Sequence, residues 1–195
     1  VLAVATFAAV HSANRAARVA EAAFQANLRP VLVPSRLEDP VQKIRWIDHW
    51  AVLQPSQGYV EVVDGNIYLA ISVRNVGAGL AVPIGWYIFT EIQYGVNDHV
   101  DPDQFRMQQR DLFVGGGDFG FWQAAIREAN DPYYVALSRD VRDGEQFTID
   151  LLYGDHEGGQ RTISRFNMVP VRVDDEMRWY PTIVRHWNLD RADPR

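Results

Sequence analysis

Asn66 to Trp86, NIYLAISVRNVGAGLAVPIGW, decides the fold. Ile67, Leu69, Ile71 and Val73 alternate with Tyr68, Ala70, Ser72 and Arg74, the period of two that places one set of side chains on a core face. Asn75 to Gly79 then interrupts the run with an asparagine and two glycines, residues that tolerate a sharp reversal. Leu80 to Trp86 begins a second apolar run. The stretch reads as strand, turn, strand at the centre of a β-sandwich. It contains no nucleophile, general base or metal-ligand set, so it speaks to architecture and not to chemistry.

Working outward, Gly58 to Val63 predicts a strand that enters Asn66 through the turn Asp64-Gly65. After Trp86, YIFTEIQY continues the strand, and GVNDHVDPDQ is a polar loop. Short helices are expected at Pro102 to Arg110, with Asp101 as N-cap, and near 132–140, where DPYYVALSRDV repeats the cap-then-proline start. Leu112 to Val114, FGFWQAAI, Phe147 to Tyr153, Arg161 to Val169 and WYPTIVRHWNL are strand candidates; Val31 to Val33 before Pro34 suits an edge strand. Trp46 and Trp50 share a face if Ile44 to Trp50 is helical, and the same stretch also fits an extended chain. About seven to nine short strands with turns between them predict a mainly β, immunoglobulin-like antiparallel sandwich over residues 30–195.

Residues 1–29 differ in kind. VLAVATFAAV holds no charge, and its length is half of the roughly 20 apolar residues a bilayer crossing requires. It reads as the last turns of a transmembrane helix; a buried helix start and a signal peptide are the alternatives. His11 to Leu28 is alanine-rich and free of glycine and proline, a strong helix former ended by Pro30. Val10, Ala17 and Phe24 recur every seven residues, which gives a narrow apolar seam. The expected role is a stalk lying against the sandwich, with a short coiled-coil homodimer as the alternative.

Composition narrows the function. The 195 residues are 47% apolar and 12% aromatic, enough for a real core, and the net charge is −6. Residues 1–36 carry four arginines against one glutamate, a net +3, and the remainder carries −9. The absence of any cluster of basic residues argues against nucleic acid as a partner. Zero cysteines exclude a disulfide scaffold, thiol catalysis and Cys-based zinc. Arg15 and Arg18, close after the apolar segment, bias that flank toward the cytoplasmic side of a membrane.

Candidate chemistry is sparse. Asp155, His156 and Glu157, in a glycine-flanked loop, offer three ligand-type side chains, with His186 on a possible neighbouring strand. They are the weak metal candidates and the basis of an alternative reading as a metal-dependent hydrolase. Gly115-x-Gly117-x-x-Gly120 matches a dinucleotide-binding pattern, yet it needs a following helix where Phe119, Phe121 and Trp122 suggest a strand. Asp98, Asp101 and Asp103 resemble the start of a calcium loop without its glycine and terminal glutamate. No G-x-S-x-G elbow occurs. The six tryptophans, 46, 50, 86, 122, 179 and 187, fit core packing better than an exposed sugar or peptide groove. No catalytic residue or cofactor is assigned, and the favoured function is a membrane-tethered interaction module with a protein partner.

The segments SANRAARVAE, IYLAISVRNVG, LLYGDHEGGQRTISRF and RHWNLDRADPR resemble those of a group of uncharacterised, membrane-anchored actinobacterial proteins. The resemblance covers nearly the whole chain. It implies an N-terminal transmembrane helix ahead of a β-rich domain and supplies no activity or site residue.

Overall fold

The structure, a computed structural model, describes residues 2–94 and 98–193, with side chains on the first helix described from Val10 to Glu21 and at Ala23 and Phe24. In chain order the elements are α1 (Leu2–Asn27), β1 (Leu32–Pro34), β2 (Gln42–Arg45), β3 (Trp50–Leu53), β4 (Gly58–Val63), β5 (Asn66–Asn75) and β6 (Val82–Phe89). There follow β7 (Arg106–Met107), β8 (Phe119–Ile126), α2 (Pro132–Asp143), β9 (Phe147–Gly154), β10 (Thr162–Val173) and β11 (Glu176–Asn188). Side chains of Leu2 to Ala9, and with them most of the apolar segment behind the membrane reading, lie outside the described residues. So do Gly95 to Asn97 of the expected polar loop and Pro194-Arg195.

β5 is the spine of the first layer. Asp64 and Gly65, at φ 48° and 77°, make the tight reversal that pairs β4 with β5 from Gly58↔Ile71 to Val63↔Asn66. β1 continues along the same edge, Leu32↔Asn75 to Pro34↔Val73, and β8 pairs antiparallel along the other, Ile67↔Ile126 to Arg74↔Phe119. The second layer runs β11-β10-β9-β6-β7 and joins the first at Trp179↔Gly58. β5 and β6, consecutive in sequence, therefore lie in opposite layers, and the NVGAG turn carries the chain across. Leu69, Ile71 and Trp122 of one layer meet Trp86, Ile149, Leu151 and Phe166 of the other in one core. The chain is the expected mainly β antiparallel sandwich with an N-terminal helix.

Each layer's outer face is covered again. Over the first, β2 and β3 form a separate two-stranded ribbon whose Ile44 and Leu53, with Trp46, bury Tyr68 and Ala70 of β5. This settles the ambiguous Ile44–Trp50 stretch as strand, turn and strand. The ribbon also blunts the sheet edge, because Trp46 Nε1 donates to Ala124 O at 3.0 Å and Gln42 Nε2 to Gly120 O at 2.9 Å. Over the second layer, Leu152, Ile163 and Trp187 pack under Phe105 and Leu189. Beside them Asp150 and Arg165, 0% and 1% exposed, form a two-bond ion pair, both bonds 2.7 Å. The Arg165 guanidinium lies 4.9 Å from the Phe89 ring and 4.7 Å from the Trp187 ring.

α2 starts as expected, with Pro132 first and the Asp131 carboxylate accepting from Tyr133 N at 2.9 Å, and it ends on Gly144 at φ 70°. Three expectations need correction. The helix at 102–110 is only a 3-10 turn, Pro102–Gln104, because Phe105 is drawn into the outer cluster and Arg106–Met107 pairs with β6. Leu112 to Val114 contributes the isolated bridge Ala81↔Val114 and no strand. The stalk does not lie against the sandwich: every described side chain of α1 is exposed, including Val10, Val19 and Phe24 at 54%, 64% and 66%. Among the described residues, no helix is long and apolar enough to cross a membrane.

The segment that follows α1 is nonetheless rooted in the sandwich. Arg29 is 6% exposed; its Nη1 donates to Thr162 Oγ1 at 3.2 Å and its Nη2 pairs with Asp190. Val31 N donates to Asn75 Oδ1 at 3.0 Å, and Val76 N to Val31 O at 2.8 Å. The glycines of the NVGAG turn permit this approach, since a Cβ at Gly77 would strike the Arg29 carbonyl and one at Gly79 the Leu28 carbonyl.

Candidate functional site

Asp155, His156 and Glu157 occupy the β9–β10 loop, where Asp155 Oδ1 accepts from Gly159 N at 2.9 Å and Gly158 takes φ 75°. His156 and Glu157 are 63% and 76% exposed. His186 belongs elsewhere: it lies opposite Ser164 on β10, its Nδ1 shares a 2.7 Å hydrogen bond with Ser164 Oγ, and burial holds its pKa below the ordinary value. The four do not assemble as a ligand set. Among the described residues no group of three or more histidines and carboxylates is placed to hold a metal ion. His186 is held in the β10–β11 pairing, whereas His156 and Glu157 stand on an exposed loop.

Sequence reading passed over the serine–histidine pair on β10 and β11. Ser164 is fully buried, and its Oγ also shares a 2.7 Å hydrogen bond with Tyr153 Oη, which accepts from Leu32 N at 3.0 Å. Burial pushes the Tyr153 phenol up to about 12. This chain of hydrogen bonds ties β1 to the second layer, and a serine with no exposed surface has no access to a substrate.

The remaining motifs are structural. Gly115 to Asp118 is a turn, with Gly117 at φ 79° and Gly117 N donating to Asn75 O at 3.0 Å, and strand β8 follows where a nucleotide fold needs a helix. Asp101 caps the 3-10 turn by accepting from Asp103 N at 3.0 Å. Five of the six tryptophans are buried, and Trp50 is 63% exposed.

Among the cavities that open on the described surface are two that gather charged side chains or tryptophans. One, of about 570 Å³, sits where α1 joins the sandwich, between Leu28-Arg29, the 78–80 turn, the 155–160 loop and Asp190-Arg191. It gathers Asp155, His156 and Glu157 on one rim, while its central charges, Arg29 and Asp190, neutralise each other.

The other, of about 400 Å³, lies between the β2–β3 turn, the segment after β7 and the end of β8. Trp46 and Trp86, each 5% exposed, and Ala124 form its apolar wall. Arg45, Arg110 and Arg127 surround it, and no carboxylate lines it. Arg127 is engaged by Asp48 through bonds of 2.7 and 3.2 Å, and that guanidinium holds the Asp48 carboxyl at about 2. Arg110 spends one N–H on Arg45 O at 2.8 Å, and Arg45 lies 5.1 Å from the exposed Trp50 ring. Among the described residues neither has an ion pair to a carboxylate. Gln123, 5% exposed, donates to Arg45 O at 3.3 Å, and its buried Oε1 receives no hydrogen bond.

No protein-family model and no curated protein matches this sequence. A crystal structure of a protein from Archaeoglobus fulgidus is similar over 68% of this chain and 93% of that chain, at 12% identity and a TM-score of 0.26. That likeness is too low to carry an argument about fold or function.

Proposed function

We propose that the chain is a β-sandwich binding module held at a membrane by its N-terminal helix, with the sandwich on the cytoplasmic side and a protein partner at its surface. The rooting of the segment that follows α1 carries this reading. A helix whose described side chains are all exposed has its own partner to find, whereas Arg29, two residues beyond its end, is buried and paired with Asp190. The uncharged VLAVATFAAV supplies the surface such a helix would place in lipid, and Arg15 and Arg18 supply the inside bias. A helix that lacked a fixed junction would act as a loose leash; this one is followed directly by a segment bonded into the sandwich. The metal-hydrolase alternative is the weaker reading, because His186 stands on β11, bonded to Ser164, away from the loop that carries Asp155, His156 and Glu157.

Membrane fractionation of cells expressing the full-length gene product tests the reading. The expected result is a pellet that resists carbonate and a sandwich that added protease reaches only after spheroplasts are permeabilised. Release by carbonate overturns the tether, and digestion in intact spheroplasts overturns the orientation.

A further inference from the structure

We infer that the cavity between the β2–β3 turn and β8 binds a carboxylate carried on a flat aromatic body, an inference that rests on the binding-module reading and names the chemistry its ligand presents. Charge comes first. In a chain of net −6, this cavity is lined by three arginines and no acid. Arg127 is committed to Asp48, so Arg45 and Arg110 remain to meet an anion. Arg110 is held by one N–H on Arg45 O and keeps four of its five donors, and the guanidinium fork matches a carboxylate with two parallel bonds. The two oxygens of a carboxylate fill one such fork, and the second guanidinium adds to its attraction.

Shape comes second. Trp46 and Trp86 offer ring surface to a planar group, and about 400 Å³ is within the range of small-ligand pockets. Trp46 is fixed in place by its bond to Ala124 O and by the Tyr68 ring at 5.3 Å, so the wall is preformed. At its rim, Ile47 at 93% exposure extends apolar surface that a larger ligand, such as the C-terminal aromatic residue of a partner chain, would cover.

Calorimetric titration of the full chain with indole-3-acetate tests this, with indole-3-acetamide, phenyl phosphate and acetyl-Gly-Gly-Trp as companion probes. The expected result is saturable 1:1 binding of indole-3-acetate that salt weakens, that the amide loses, and that falls at least tenfold in Arg110→Gln and in Arg45→Gln. Arg191→Gln, at the other cavity, is expected to leave it unchanged. Binding of acetyl-Gly-Gly-Trp but not indole-3-acetate supports the same chemistry and assigns the carboxylate to a chain terminus; the reverse assigns it to a free small molecule. Absence of saturable binding by both, equal binding of acid and amide, tighter binding of phenyl phosphate, or full affinity in folded Arg110→Gln and Arg45→Gln overturns the inference. Membrane fractionation reads the tether separately, so either result can fail without the other.

Discussion

The two outer faces of the sandwich are buried by different chemistry. On the first layer, Tyr68 and Ala70 disappear under Ile44, Trp46 and Leu53, a cover supplied by a ribbon close in sequence. On the second, the same depth of burial is reached across a ladder that begins with Thr148–Asn167, passes through Asp150–Arg165 and ends in Leu152–Ile163. An apolar cover loses stability in proportion to the volume removed. A buried ion pair behaves otherwise, since each charge was costly to desolvate and the pair is tolerable only while both partners remain. Arg165 Nη1 has no hydrogen-bond partner, so its environment depends on Asp150 and on the faces of Phe89 and Trp187.

Asp150→Ala should therefore cost the most, about 3–5 kcal/mol, by stranding a buried guanidinium. The double substitution Asp150→Leu with Arg165→Leu should recover most of that loss, a coupling that urea titration of the parent, Asp150→Leu, Arg165→Leu and the double variant measures. Equal losses in single and double variants would show that the second cover is apolar in its energetics after all. Ile44→Ala, on the first layer, should cost about 3 kcal/mol, with no such rescue, because only transfer and cavity terms are lost.

Much of the frame was legible in the sequence because local chemistry agreed with the fold. Asp64-Gly65 marked the β4–β5 reversal, and Asp131-Pro132 marked the start of α2. The covers were not legible. Asp150 and Arg165 fall on alternate positions that the period of two assigns to solvent, and the rings of Phe89 and Trp187, distant in sequence, lie over the guanidinium. The aromatic cavity was equally silent, as it draws Arg45, Trp86, Arg110 and Gln123 from four separate segments. Trp46 and Trp50, four apart, suggested one helical face; on the ribbon one is buried and the other exposed.

A half-buried pair stands between the extremes. Arg106 bonds Asp131 through two contacts, one of 2.6 Å, and lies 4.4 Å from the Tyr133 ring, clamping the start of α2 to β7. That hydrogen bond holds the Asp131 carboxyl below the usual carboxylate range. Its stabilisation is present above that range and is lost as pH falls through the lowered pKa. Burial acts on Asp150 in the opposite sense, pushing its carboxyl up although Arg165 pulls it back. Between the ordinary and the raised value the folded chain holds a proton the unfolded chain has released, so stability there declines as pH rises. Asp131→Ala should cost about 2 kcal/mol near neutrality through the lost cap and pair. Thermal melts between pH 2 and 7 should show a flatter acid limb for that variant and, for Asp150→Asn, removal of the opposing slope.

The smallest change in stability is expected at Asp48, where the same pair of residue types sits in water. Asp48 and Arg127 are 41% and 35% exposed in their side chains, so solvent and salt screen their attraction, and Asp48→Asn should leave the melting midpoint almost unmoved. Its consequence belongs to the cavity. Arg127 lines the same space as Arg45 and Arg110, and it is withheld from an anion there only because Asp48 occupies its fork. Removing that carboxylate adds a third available guanidinium without altering the wall formed by Trp46 and Trp86. Indole-3-acetate should then bind a few-fold more tightly at low salt, and the gain should disappear as salt rises. A variant with unchanged stability and weaker binding would mean that Asp48 holds Arg127 in place for the ligand, making the pair part of the site's geometry and not a competitor for its charge.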